Sequence, residues 1–283
     1  MSGATGKPSV AVAQLHAMIA EACFGDPTTT EGALEGDLAG YLAKHGVLEE
    51  DADAILASPR RLGLYRQLVR HNVVHIATVM LERTRARLDA QVPGAFDRTV
   101  ASFLAERGPR THHLRDVPRE LLAHAAPHWK RDPRIAPWIA DYAEYELVDF
   151  TIGVAPRPAP PPPLADVTAD RALVFGDPRT LIHLGFAVHE LPEGDVTASP
   201  AERAVHLLVY RDAEHRTRFL DLTPLAAAIL ERLFAGRPLA VAMVEACASS
   251  EHALDDAVLA GAARLLADLG ERGVLLGARD TSA

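Results

Sequence analysis

The chain has 283 residues, of which 48% are apolar and 24% charged, with a net charge of −9. That length holds one large domain or two ordinary ones with a real core, and the acidic balance argues against general affinity for nucleic acid or anionic membranes. No apolar run of about 18 residues predicts a transmembrane helix, and two cysteines, Cys23 and Cys247, fit a reducing cytoplasmic setting without a disulfide framework.

From the N-terminus, Val10 to Phe24 reads as an amphipathic helix, because Gln14, His16 and Glu21 interrupt its apolar run at helical spacing. Further helices are expected at 34–45, 59–88, 95–106, 118–128 and 134–150. In the long one, Leu64, Leu68, Val74 and Ala77 to Leu81 recur at helical spacing. Its span from Arg60 to Arg87 carries seven arginines against Glu82 alone. Pro118 suits a first helical turn, and Pro127 is expected to end that helix. The helix 134–150 carries Trp138, Tyr142, Tyr145 and Leu147. Residues 1–154 therefore read as an all-α domain.

Ala155 to Leu164, APRPAPPPPL, reads as a stiff polyproline linker. Beyond it, residues 165–283 carry 11 basic and 18 acidic side chains, so most of the negative charge lies here. The pattern changes to period two. Leu181 to Leu191 alternates, with Ile182, Leu184, Phe186 and Val188 on one face and His183 and His189 on the other. Ala204–Arg211 and Arg216–Leu222 flank a short polar loop as a β-hairpin. Thr223-Pro224 caps a helix that Gly236 ends, Pro238 opens a second, and Ser249/Ser250 are expected to cap a third running to Leu269. Val274 to Leu276 adds a short strand. The whole is α+β: a helical N-terminal domain, then a winged-helix-like β-β-β-α-α-α domain.

Thirteen histidines raise metal binding. His71/His75 and His124/His128 have the i, i+4 spacing of a shared helix face, but neither pair encloses the acid of a catalytic zinc motif. His112 and His113 lie in a loop. No nucleophile motif or phosphate loop is present, and Asp141, Glu144, Glu146 and Asp149 read as a solvated or partner-binding face. The sequence predicts no catalytic residue, no resident metal and no cofactor. A helix-turn-helix raises DNA binding by a transcriptional regulator as the alternative. The candidate recognition helix, Leu254 to Arg272, holds Asp255, Asp256, Asp268 and Glu271 against Arg264 and Arg272, which disfavours phosphate contact.

Two blocks carry a resemblance. One runs from Arg61-Leu-Gly-Leu-Tyr-Arg through His113-Leu-Arg-Asp-Val-Pro and His124-Ala-Ala-Pro-His-Trp to Trp138-Ile-Ala-Asp-Tyr-Ala-Glu-Tyr-Glu146. The other joins His206-Leu-Leu-Val-Tyr-Arg211, Phe219-Leu-Asp-Leu-Thr-Pro224 and Leu269-Gly-Glu-Arg-Gly-Val274. Together they resemble the HvfC/BufC-type peptide modification chaperones and the C subunit of the methanobactin-forming pair. The resemblance implies a cytoplasmic, non-catalytic subunit of a heterodimer. Its partner would be a multinuclear non-haem iron TIM-barrel enzyme that oxidises a ribosomally made precursor peptide, and the C-terminal domain would recognise the leader. It implies a leader adding to the third strand beside the third helix, over Thr217, Arg218, Phe219, Leu220, Leu259, Ala262, Ala263 and Leu266. It implies enzyme docking through the helical domain, over Arg83, Arg87, Trp138, Tyr142 and Tyr145, with both arginines expected to be exposed.

Overall fold

The computed structural model describes residues 10–280 except 26, 112, 157, 158 and 160, so His112 and three positions of the expected proline linker lie outside the described residues. The chain divides into two compact units, Met1–Ala140 and Asp141–Ala283. Among the described residues, no helix is long and apolar enough to cross a membrane.

The first unit is helical: α1 (Val10–Phe24), α2 (Pro27–Gly36), α3 (Leu38–Lys44), α4 (Glu49–Leu56), α5 (Pro59–Met80), α6 (Glu82–Gln91), α7 (Ala95–Glu106) and α8 (Val117–Trp129). Met18, Ala22, Tyr41 and Leu42 form one small core, against which Ile55 and Leu62 pack. Further along, Leu88, Phe96, Phe103 and Leu121 are all buried, and the Trp129 indole donates to Thr99 Oγ1 at 3.1 Å, tying α8 to α7. The single helix expected over 59–88 is two, broken at Leu81 (φ −123°, ψ 31°). No glycine or proline marks the break. Met80, Leu81 and Thr84 are all buried, so the turn keeps apolar side chains inside, a tertiary demand that periodicity does not encode. It also corrects the expected exposure of the docking arginines: Arg87 is 1% exposed and Arg83 is half-buried. Pro127 does not end α8, which continues to Trp129, since in a last turn its missing N–H costs one bond only.

Helix α9 (Ile139–Gly153) leads into the second unit, whose strands and helices are β1 (Leu164–Ala165), β2 (Leu173–Phe175), β3 (Arg179–Phe186), β4 (Glu202–Arg211), β5 (Thr217–Leu222), α10 (Pro224–Phe234), α11 (Leu239–Ser249), α12 (Asp256–Glu271) and β6 (Leu275–Arg279). The main sheet is antiparallel in the order β3-β4-β5, and a smaller one has the order β1-β6-β2. Register places Leu181, Leu208 and Leu220 in one row, and Thr180, Val209 and Phe219 in the next, facing the other way. The first face packs on α10–α12 through Leu208, Tyr210, Leu222, Leu230 and Leu233. The second meets α9. Tyr145 lies against Phe219 with ring centroids 4.8 Å apart, the Asp149 carbonyl accepts from Thr217 Oγ1 at 3.1 Å, and Asp141 Oδ2 accepts from the Gly185 amide at 2.7 Å. Both faces of β4 are thus covered, which explains its unbroken buried run from Leu207 to Tyr210. The proline stretch lies inside this unit. Arg211 Nη1 donates to the Ala155 carbonyl at 2.7 Å at one end, and β1 pairs with β6 at the other.

The turns follow local chemistry. Thr223 Oγ1 accepts from the Ala226 amide at 3.2 Å as the α10 cap, and Gly236 takes φ 82° just past its end. The cap of α12 is Asp255, whose Oδ1 accepts from Val258 at 2.9 Å, and not the expected Ser249/Ser250. His189 sits in a short 3-10 turn after β3 and not on the strand. The observed class is α+β, with the helices concentrated in the N-terminal half.

Candidate functional site

Two features of the second unit meet at the end of β5. The first is an open sheet edge. Among the described residues, the backbone of Thr217 to Leu222 makes no hydrogen bond to another backbone except those to β4. The opposite edge, at β3, has its Gly185 amide occupied by Asp141. The second is a groove of about 470 Å³ between α10 and α12, floored by Leu222, Ile229, Val258, Gly261, Ala262 and Leu265. Thr223 caps α10 at one lip, and Asp221 and Arg264 stand at the rim. An apolar trough flanked by an unpaired strand edge suits an extended peptide: the edge offers main-chain donors and acceptors, and the trough offers a side-chain pocket.

The expected peptide contacts are distributed unevenly over this site. Ala262 lines the groove. Leu220 and Leu266 pack on the same core from half-buried positions. Leu259 and Ala263 are exposed on the flank of α12. Thr217 and Phe219 point to the opposite sheet face and engage α9. Arg218 Nε donates to Asp212 Oδ2 at 2.6 Å, fastening the hairpin loop. Burial pushes the Asp212 carboxyl up, but hydrogen bonds from the Arg216 amide and the Arg218 guanidinium outweigh it and hold the group at about 2. Leu222, Thr223, Leu225 and Gly261 belong to the groove and were not read from the sequence. A glycine within a helical stretch was the available signal, and in the structure an added Cβ at Gly261 meets nothing within 4 Å. Of the expected docking residues, Trp138 is 5% and Tyr142 4% exposed, while Tyr145 is half-buried on Phe219.

Among the described residues, the two helical histidine pairs do not assemble a reaction centre. His71 and His75 stack with centroids 6.1 Å apart and planes 8° from parallel, both exposed. His124 and His128 lie 4.9 Å apart, the helix having continued through Pro127. Ser102 Oγ donates to Glu106 Oε1 at 2.6 Å, so at 3.2 Å the His124 Nε2 must donate to that hydroxyl and cannot serve it as a base. Burial lowers the His124 pKa, favouring its neutral form. Among the described residues, no group of three or more histidine, cysteine, aspartate or glutamate side chains is placed to hold a metal.

Comparison with known proteins agrees with the fold. Residues 179–270 match the family model of the HvfC C-terminal domain, a span from the start of β3 to near the end of α12 that contains both the β5 edge and the groove. No curated protein matches the chain. Over these residues, about a third of the chain, the protein is similar to the HvfC C-terminal domain.

Proposed function

We propose that the protein is a non-catalytic accessory subunit that presents a precursor peptide to a multinuclear non-haem iron TIM-barrel enzyme, gripping the leader at the β5 edge. The observation that carries this reading is the coincidence of an open antiparallel edge with an apolar groove inside the matched domain. A leader strand gains about 0.5–1.5 kcal/mol per main-chain hydrogen bond, with side-chain selectivity supplied by the groove. DNA recognition by α12 is disfavoured by chemistry. Asp255 is spent as its cap, and Arg272 is held by Asp268 at 2.7 Å and Tyr210 at 3.2 Å, leaving Arg264 as the cation at the groove rim.

The test is amide exchange and fluorescence anisotropy of the full chain with the N-terminal segment of the enzyme's precursor peptide. Protection is expected over 217–222, and Gly261→Leu, which fills open space, should weaken binding at least about tenfold with folding unchanged. Protection confined to α1–α8, with unchanged affinity in Gly261→Leu, would refute the leader site.

A further inference from the structure

Helix α5 has two apolar faces. One, through Val73, Ala77 and Met80, is buried in the first unit. The other is open: Leu64 is 57%, Tyr65 51%, Leu68 52% and Val79 54% exposed. Leu64, Leu68, His71, His75 and Val79 follow one another at three- and four-residue spacing along a single stripe, with Tyr65 beside it and the two histidine rings stacked parallel. Contiguous exposed apolar surface of this kind marks a contact site. Its charge says what covers it. Over 22 residues α5 carries four arginines and no aspartate or glutamate, in a chain of net charge −9. Arg60 and Arg61 are exposed at its start. Arg60, Arg66 and Arg70 also line a groove of about 670 Å³ beside Leu34 and Leu38, where Glu35 is the one carboxylate among the lining residues. Antiparallel self-pairing about Leu68 would set Arg61 opposite the His75 of a second copy, with no carboxylate on either α5 helix. The helix therefore complements an acidic surface and not its own image.

We propose that the Leu64–Tyr65–Leu68 face of α5 docks onto an acidic protein surface that carries an apolar strip. This rests on the accessory-subunit reading above, which makes that surface part of the iron enzyme. The leucines and tyrosine form the desolvated centre, and Arg60 and Arg61 form the salt-sensitive rim.

The full chain is titrated calorimetrically with the non-haem iron barrel enzyme from the same genome. Leu64→Glu with Leu68→Glu should keep its circular dichroism and melting midpoint, both positions being more than half exposed, and lose affinity about thirtyfold or more. Arg60→Glu with Arg61→Glu should lose about tenfold at low salt, a difference that closes at about 0.5 M salt. Gly261→Leu, in the leader groove, should dock as wild type does. A tight wild-type complex unaffected by either α5 variant overturns the α5 assignment and leaves the accessory reading standing. A wild-type chain that does not bind the enzyme at all overturns that reading and the docking inference with it. Self-association abolished by Leu64→Glu/Leu68→Glu, or co-sedimentation with phosphatidylcholine–phosphatidylglycerol vesicles that the double variant loses, overturns it in favour of a second copy or a lipid surface.

Discussion

Arg179 joins three parts of the second unit through one guanidinium. Its Nη1 donates to the carbonyls of Phe175 and Gly176 at 3.3 and 3.0 Å and to Asp177 Oδ1 at 2.6 Å. Its Cζ lies 4.6 Å from the Phe234 centroid and 5.4 Å from that of Phe175. Burial pushes its pKa down, with Asp177 opposing, so the carboxylate and ring faces are what keep a cation acceptable there. Arg179→Ala is expected to cost about 2 kcal/mol in urea unfolding, and Arg179→Lys should recover less than half, since an ammonium cannot both stack and fork. A second polar knot sits between the sheet and α10. His183 and His206 approach Nδ1 to Nδ1 at 2.6 Å, which needs one proton between them, and His183 Nε2 meets Glu231 Oε1 at 2.8 Å. The His206 pKa is lowered by burial and then by repulsion from His183, against the opposing pull of Glu231 and Asp221. A lowered pKa means the unfolded chain binds more protons between that value and about 6.5, so stability falls as pH drops through this window. His206→Gln should flatten that part of the stability–pH curve. A curve of unchanged slope would exclude His206 as its source.

At the scale of elements, α12 combines a groove wall with a weak point. Gly261 faces open space in mid-helix, so Gly261→Ala should raise stability by about 0.5–1 kcal/mol through helix propensity alone. The same substitution is small enough to leave leader affinity within about threefold, whereas Gly261→Leu is not. A stability gain without the Leu effect would place the peptide elsewhere. Periodicity made β3, the β4–β5 hairpin and α10–α12 legible, because each has a strong local signal: alternation at Ile182 and Leu184, a Thr223-Pro224 start, a Gly236 stop. Strands β1 and β2 have two and three residues and depend on β6, a hundred or more positions away, so nothing local announces them. Helix α9 was legible as a helix but not as the second cover of the β3–β5 sheet. Aromatic residues such as Tyr145 look the same in sequence whether a partner or the chain's own Phe219 receives them. The groove was half legible for a related reason: Ala262 carries the small-residue signal, while Leu222 and Thr223 read only as a strand end and a cap.

For the molecule as a whole, the boundary between compact units precedes α9's main span and not the proline stretch. A fragment of residues 137–283 should therefore fold cooperatively, with dispersed amide resonances. A fragment beginning at 165 lacks α9 and leaves Ile182, Leu207 and Val209, all 5% exposed or less in the full chain, without their cover. It should bind hydrophobic dye and melt broadly, and equal cooperativity in the two would show that α9 is dispensable. The two-ended fastening of the proline stretch has a further result for how the chain responds to scission. Arg211 grips the backbone at Gly153 and Ala155, while Leu164 is already zipped to Arg279. With a protease site in place of Pro161–Pro162, a cut there would yield two polypeptides that co-elute as one nicked particle. Separating them would then require denaturant.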